Sequence, residues 1–149
     1  MKRQEKYPNT STFRNYNANP KNKITDDCVI RAISTAMERP YNEVYEELFK
    51  FSLKCGLMLN DPKCYDKYLQ EQGWKKHTQP RKADNTKYTG KEFCKELNCD
   101  IMAVGRKVIA HIGGHHIVCI KEDDLHGLHK VHDTWDSTNG RIGNWWTKV

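Results

Sequence analysis

Two different periodicities divide this chain of 149 residues. Up to about Asn98 the apolar residues recur at the three-to-four spacing of helices with one buried face. Beyond Asn98 they gather into short runs, Ile101–Val104, Val108–Ile109, Ile117–Ile120 and Leu128–Trp135, punctuated by Gly105, Gly113–Gly114 and Gly127. Helices first and strands second predict an α+β domain, with N-terminal helices packed on a C-terminal antiparallel sheet.

The caps place the helices. Thr25-Asp26-Asp27 are cap residue types ahead of the apolar pattern Ile30, Ile33 and Met37. They predict a helix that starts at or just before Cys28 and ends near Arg39-Pro40. A second helix from Asn42 sets Val44, Tyr45, Leu48, Phe49 and Cys55 along one face. Asp61 as cap and Pro62 at the first position predict a third, with Tyr65, Tyr68 and Leu69 inward and Gly73 as its stop. Residues 75–88 read as a long polar loop with a short strand. Thr89 and Glu92 then form a capping box for a short helix carrying Phe93 and Leu97.

Charge sets the domain boundary. Of the formal net charge of +6, residues 1–23 hold six basic groups (Lys2, Arg3, Lys6, Arg14, Lys21, Lys23) against Glu5, while the rest nearly balances. A basic, Asn-rich arm over residues 1–23 is therefore expected, followed by one domain over 24–149. Such an arm is first of all a solvated terminus; its other reading is contact with nucleic acid or an acidic partner. No apolar run resembles a signal peptide or a membrane span, so the expected setting is the cytosol, away from membranes. The six cysteines contain no CxxC pair and read as free thiols, which argues against a structural zinc site. A zinc site built from Cys94 or Cys99 with histidines, or from the crowded His111, His115, His116, His126, His129 and His132, is the alternative. Strand alternation opposes it by sending neighbouring histidines to opposite faces.

Cys28 is the residue with chemistry in it. A thiol in the first turn of a helix lies near unsatisfied N–H groups and the positive end of the dipole, which stabilise the thiolate. The same N–H groups can donate to a developing oxyanion. Asp26 and Asp27 oppose the thiolate, so nucleophilic function requires an imidazolium partner. His116 opens the strand-like run Ile117–Ile120, and Asp133 lies in the next. A hairpin centred between Asp124 and Leu125 sets His116 directly opposite Asp133, on one face. A one-residue slip would substitute His115 or His132.

The stretch Asn22-Lys23-Ile24-Thr25-Asp26-Asp27-Cys28-Val29-Ile30-Arg31-Ala32-Ile33 resembles the nucleophile segment of papain-like cysteine peptidases. It is most similar to the bacteriocin-processing peptidase domains of peptide exporters and to small proteins of bacteria and their phages. His116-Ile117-Val118-Cys119-Ile120 is similar to the family's His-strand, and Asp133-Thr134-Trp135-Asp136-Ser137 to its Asp-strand. Trp145-Trp146 matches its aromatic ending. The resemblance implies a papain-like fold with Cys28 as nucleophile, His116 as base, Asp133 as orienting group and no cofactor or metal. Asn22 stands where the family has its oxyanion Gln, and Val29 where the exporter branch often has Gly. A Cys-His-Asp triad implies a hydrolase of peptide or isopeptide bonds acting on a peptide or protein through a thioester. An amidase or acyltransferase would use the same triad. The contrasting expectation is a weak or inactive papain-like scaffold, phage-encoded in one reading, that binds a host protein or nucleic acid.

Overall fold

The computed structural model describes residues 2–124 and 127–148. Among these, five helices and six strands alternate in the order α1 (Arg3–Lys6), β1 (Phe13–Asn15), α2 (Cys28–Met37), α3 (Tyr41–Cys55), α4 (Pro62–Glu71), β2 (Trp74–His77), α5 (Gly90–Cys99), β3 (Val108–Ile112), β4 (His116–Glu122), β5 (His129–Asp133) and β6 (Ile142–Lys148). The architecture is α+β, with one sheet in the strand order β1-β5-β4-β3-β6-β2. Among the described residues no helix is long and apolar enough to cross a membrane.

The caps act where the chain chemistry places them. Asp61 Oδ1 accepts from Lys63 N–H at 2.9 Å to start α4. Thr89 and Glu92 close a reciprocal capping box on α5. Gly73, at φ 88, ends the turn after α4 in a conformation that side chains rarely adopt. Helices then cover both faces of the sheet. Val29, Ile30 and Ile33 of α2 pack with Val44 and Leu48 of α3 and Tyr65 and Leu69 of α4 against Ile109, Ile117, Cys119 and Trp146. Phe93 and Leu97 of α5 close the other face over Val108, Val118, Ile120 and Val131. Alternate residues of β4 thus serve opposite cores, as a strand buried on both sides requires. Each fully buried Val, Ile or Leu contributes about 1.5–3 kcal/mol of apolar transfer.

Four expectations need correction. The sheet is mixed, because β1 runs parallel to β5 with Phe13 opposite Val131 and Asn15 opposite Asp133. Residues 1–23 are therefore not simply a solvated arm: Phe13 is fully buried and Tyr16 N–H donates to the Asp133 carbonyl at 2.9 Å. Ile101–Ala103 forms a 3-10 turn, not a strand, with Ile101 and Met102 exposed. On α3 the buried stripe is narrower than expected; Val44 and Leu48 are buried but Tyr45 and Phe49 are exposed. After β4, buried Asp123 pairs with Lys130 at 2.8 Å.

The β4–β5 register departs from the expected one by two positions, pairing Cys119 with His132 and Ile120 with Val131. A slip of two preserves face parity, whereas a slip of one would have reversed it. His116 and Asp133 therefore stay on one face but meet diagonally. Diagonal neighbours in a sheet remain within reach of long side chains.

One close approach ties α5 to the loop that follows β5. Gly90 N–H donates to the Gly140 carbonyl at 2.9 Å, and Lys91 N–H to the Thr138 carbonyl at 3.0 Å. A Cβ on Gly90 would lie 2.8 Å from Ile112 Cδ1, 3.0 Å from Thr138 Cα and 3.1 Å from its carbonyl oxygen. Backbone cannot yield as a side-chain tip can. Gly90→Ala is expected to destabilise the fold by about 1–3 kcal/mol, measured as a lower urea midpoint at unchanged slope.

Candidate active site

Cys28 is the first residue of α2, half-buried, with Asp27 at the cap position. The Asp27 side chain makes no capping bond to the helix. Instead its Oδ1 accepts from Arg31 Nε at 2.7 Å, and its Oδ2 accepts from Tyr41 O–H at 2.7 Å and Asn19 Nδ2 at 3.1 Å. The carboxylate expected to oppose a Cys28 thiolate is thus buried and neutralised by its own partners. It also leaves the first-turn N–H groups without the acceptor that a cap aspartate normally supplies.

His116 begins β4, and its Nε2 lies 2.7 Å from Asp133 Oδ2. That bond leaves Nδ1 for Cys28, and the imidazole lies close enough to the sulfur to lower the thiol pKa while its own is raised. The Ile117 backbone N–H favours the thiolate in the same sense. Asp133, at the end of β5, is buried and saturated with donors. Its Oδ1 accepts from Thr134 N–H at 2.8 Å and Arg31 Nη1 at 3.2 Å, and its Oδ2 also accepts from Ser137 O–H at 2.7 Å. The Trp135 ring lies 5.2 Å from the His116 ring and remains 39% exposed, so it covers one side of the imidazole while facing solvent.

These contacts shift three titrations in a coordinated way. Burial alone would raise the Asp133 pKa, but the hydrogen bond and charge of His116, with Ser137 and Thr134, hold it below the ordinary carboxylate value. Burial works against a charged His116, yet its bonds to Asp133 and Cys28 raise it to about 9. Burial would raise the Cys28 thiol, but His116, the Ile117 N–H and Arg31 together bring it below its ordinary value. The three groups favour a thiolate beside an imidazolium.

Sequence reasoning missed Arg31. Its guanidinium bridges Asp27 and Asp133, at 2.7 and 3.2 Å, joining the start of α2 to the end of β5. The signal was present as an Asp27–Arg31 pair at i,i+4 spacing, but periodicity alone does not separate a buried bridge from a surface one. Ser137 was also passed over as a donor to Asp133.

Asn22 is not brought to this cluster. It is exposed in a left-handed turn at φ 52 and lines, with Asn17 and Lys2, a cleft that adjoins the Cys28 one through shared Arg3, Ile24 and Thr134. His115 lines the Cys28 cleft, whereas His132 is half-buried elsewhere, donating from Nδ1 to the Lys130 carbonyl at 2.9 Å. Burial pushes His132 down to about 4. His126 lies outside the described residues. Among the described residues no group of three or more His, Cys, Asp or Glu side chains is placed to hold a metal ion.

Cys28 and His116 open on a cavity of about 570 Å³, walled by Ile24, Val29, Tyr65 and Trp135. Its volume and mixed polar and apolar walls suit part of an extended chain or a small acyl group. Compared with known proteins, the chain finds no counterpart: no family model matches it, and neither a curated protein nor a solved structure does.

Proposed function

We propose that this chain is a cysteine-dependent hydrolase of peptide or isopeptide bonds on a papain-like fold. Cys28 is the nucleophile, His116 the base and then the acid, and Asp133 the group that orients the imidazole. The reading rests above all on one observation: a half-buried helix-start thiol shares a cleft with a histidine whose Nε2 is 2.7 Å from a buried carboxylate.

In this mechanism the Cys28 thiolate attacks the substrate carbonyl carbon, and the C=O electron pair moves onto oxygen. The Cys28 backbone N–H, at the free first turn of α2, donates to that oxyanion. Collapse of the tetrahedral adduct breaks the C–N bond, and His116 gives its proton to the leaving amine. His116, now neutral, takes a proton from water as the water attacks the thioester, releasing the acid and the thiolate. Asp133 stays ionised throughout and stabilises the imidazolium.

Selective alkylation tests the reading. Exposed Cys99 offers a control for mere accessibility, and buried Cys94 and Cys119, whose thiols burial pushes up to about 12, offer controls for suppressed reactivity. Limiting iodoacetamide at neutral pH, read by peptide mass spectrometry, is expected to modify Cys28 about tenfold faster than Cys99. Labelling of Cys99 first would instead favour a binding scaffold.

A further inference from the structure

The proposed site needs a second oxyanion donor, because a single backbone N–H leaves the developing charge half-solvated and Asn22 lines another cleft. We infer that the Tyr65 hydroxyl, held in place by His111, is that donor. The inference rests on the hydrolase reading of Cys28.

The argument is one of pre-organisation. A donor lowers the barrier only if it is fixed before the charge appears. Among the side chains lining the Cys28 cavity, Thr25 and Asn60 are exposed and would have to be ordered during the reaction. The Arg31 guanidinium is committed to Asp27 and Asp133, and Arg3 Nε donates to the Thr134 carbonyl. Tyr65 differs from all of these. It lies in the well-capped α4, is 2% exposed, and reaches the same cavity as Cys28. Its ring stands edge-on to Trp146 at 6.1 Å and to His111 at 5.8 Å, while His111 meets Trp146 at 5.0 Å. Three mutually perpendicular rings leave the phenol one position.

The tautomer of His111 sets which way the hydroxyl points. The Tyr65 hydroxyl and His111 Nε2 are hydrogen-bonded. Burial and the nearby Lys76 keep His111 from charging, so its imidazole is neutral at neutral pH. In this assignment the imidazole proton sits on Nε2, so that His111 donates to the phenol oxygen and the phenol proton is free for the cavity. Burial, together with the charge on Cys28, holds that proton on Tyr65. Tyr65 therefore remains a donor throughout the cycle, and His111 acts as its positioning residue.

Two reactions of one sulfur separate this role from any effect on the thiolate. Iodoacetamide alkylates Cys28 by displacement at carbon and forms no oxyanion. With p-nitrophenyl acetate the thiolate adds to the carbonyl, the oxyanion forms, and collapse expels p-nitrophenolate to leave an acetyl thioester on Cys28. In Tyr65→Phe, acylation is expected to fall about 10- to 100-fold while alkylation stays within about twofold of the parent. Both rates are read on Cys28 itself and corrected for the rate of the unfolded chain measured in urea, so their ratio reports the folded site. Equal losses in both reactions, or no loss in acylation, would overturn the assignment. If the parent's Cys28 is not the fastest-alkylated cysteine, the hydrolase reading itself fails, and the proposal falls with it for that separate reason.

Discussion

His116→Ala is expected to slow alkylation of Cys28 at neutral pH by about tenfold, because the imidazole is the chief influence that lowers the thiol below its ordinary value. The loss should exceed that figure, since burial alone raises the Cys28 thiol once the imidazole is gone. The shape of the pH profile matters as much as its height. In the parent, reactivity should rise with pH through the depressed Cys28 value and hold while both partners keep their charges. Turnover of an amide should then fall as pH passes about 9, where His116 loses the proton it owes to the leaving amine. In the variant the acidic plateau should vanish, leaving one rise on the alkaline side. A variant profile that matches the parent's would remove His116 from the mechanism.

The largest effect on stability is expected at Arg31. Among the described residues Arg31→Ala removes the only cation bonded to both Asp27 and Asp133, leaving buried Asp27 to neutral donors and buried Asp133 to His116 as its one cation. Removing one partner of a buried ion pair destabilises by about 3–5 kcal/mol, to be read from urea unfolding at neutral pH. Arg31→Lys should recover less than half, because one ammonium cannot span two carboxylates as a planar fork does. The pH dependence has a definite sign. Asp133 is held below its ordinary value when folded, so its contribution is present above the ordinary carboxylate range and fades as pH falls through the folded value. Without Arg31 the carboxylates protonate more readily, and protonated carboxyls need no cation. The gap between variant and parent should therefore narrow on acidification. A gap that stays constant down to acidic pH would mean that Arg31 acts through packing and not through charge.

Local rules made much of the fold legible. Asp61-Pro62 and Thr89–Glu92 marked helix starts because a cap is a short-range bond, complete within one turn. Cys28, His116 and Asp133 were legible as a set because strand parity survives the two-residue shift in register. What failed was long-range or compensated. Phe13–Asn15 looked like polar tail; its strand exists only because β5 presents an open edge to it. Ile101–Val104 looked like a strand because a short apolar run carries no information on whether anything covers it. Asp27 looked hostile to a thiolate because the charge was visible and the Arg31, Tyr41 and Asn19 partners that quench it were not. Asn22 matched a position in a motif, yet its left-handed turn carries it to a different cleft.

The parallel pairing of β1 with β5 has a consequence for the order of assembly. Phe13 can bury itself only after Val131 has been made, and every helix of the main body lies between them. Closing so long a loop is entropically slow, and it gains nothing until the β3–β4–β5 meander already exists. On a ribosome the early helices would emerge and collapse before His116 and Asp133 had been made. The nascent chain would carry its thiol for most of synthesis without the partners that arm it, so any reactivity would arrive late, together with the completed sheet.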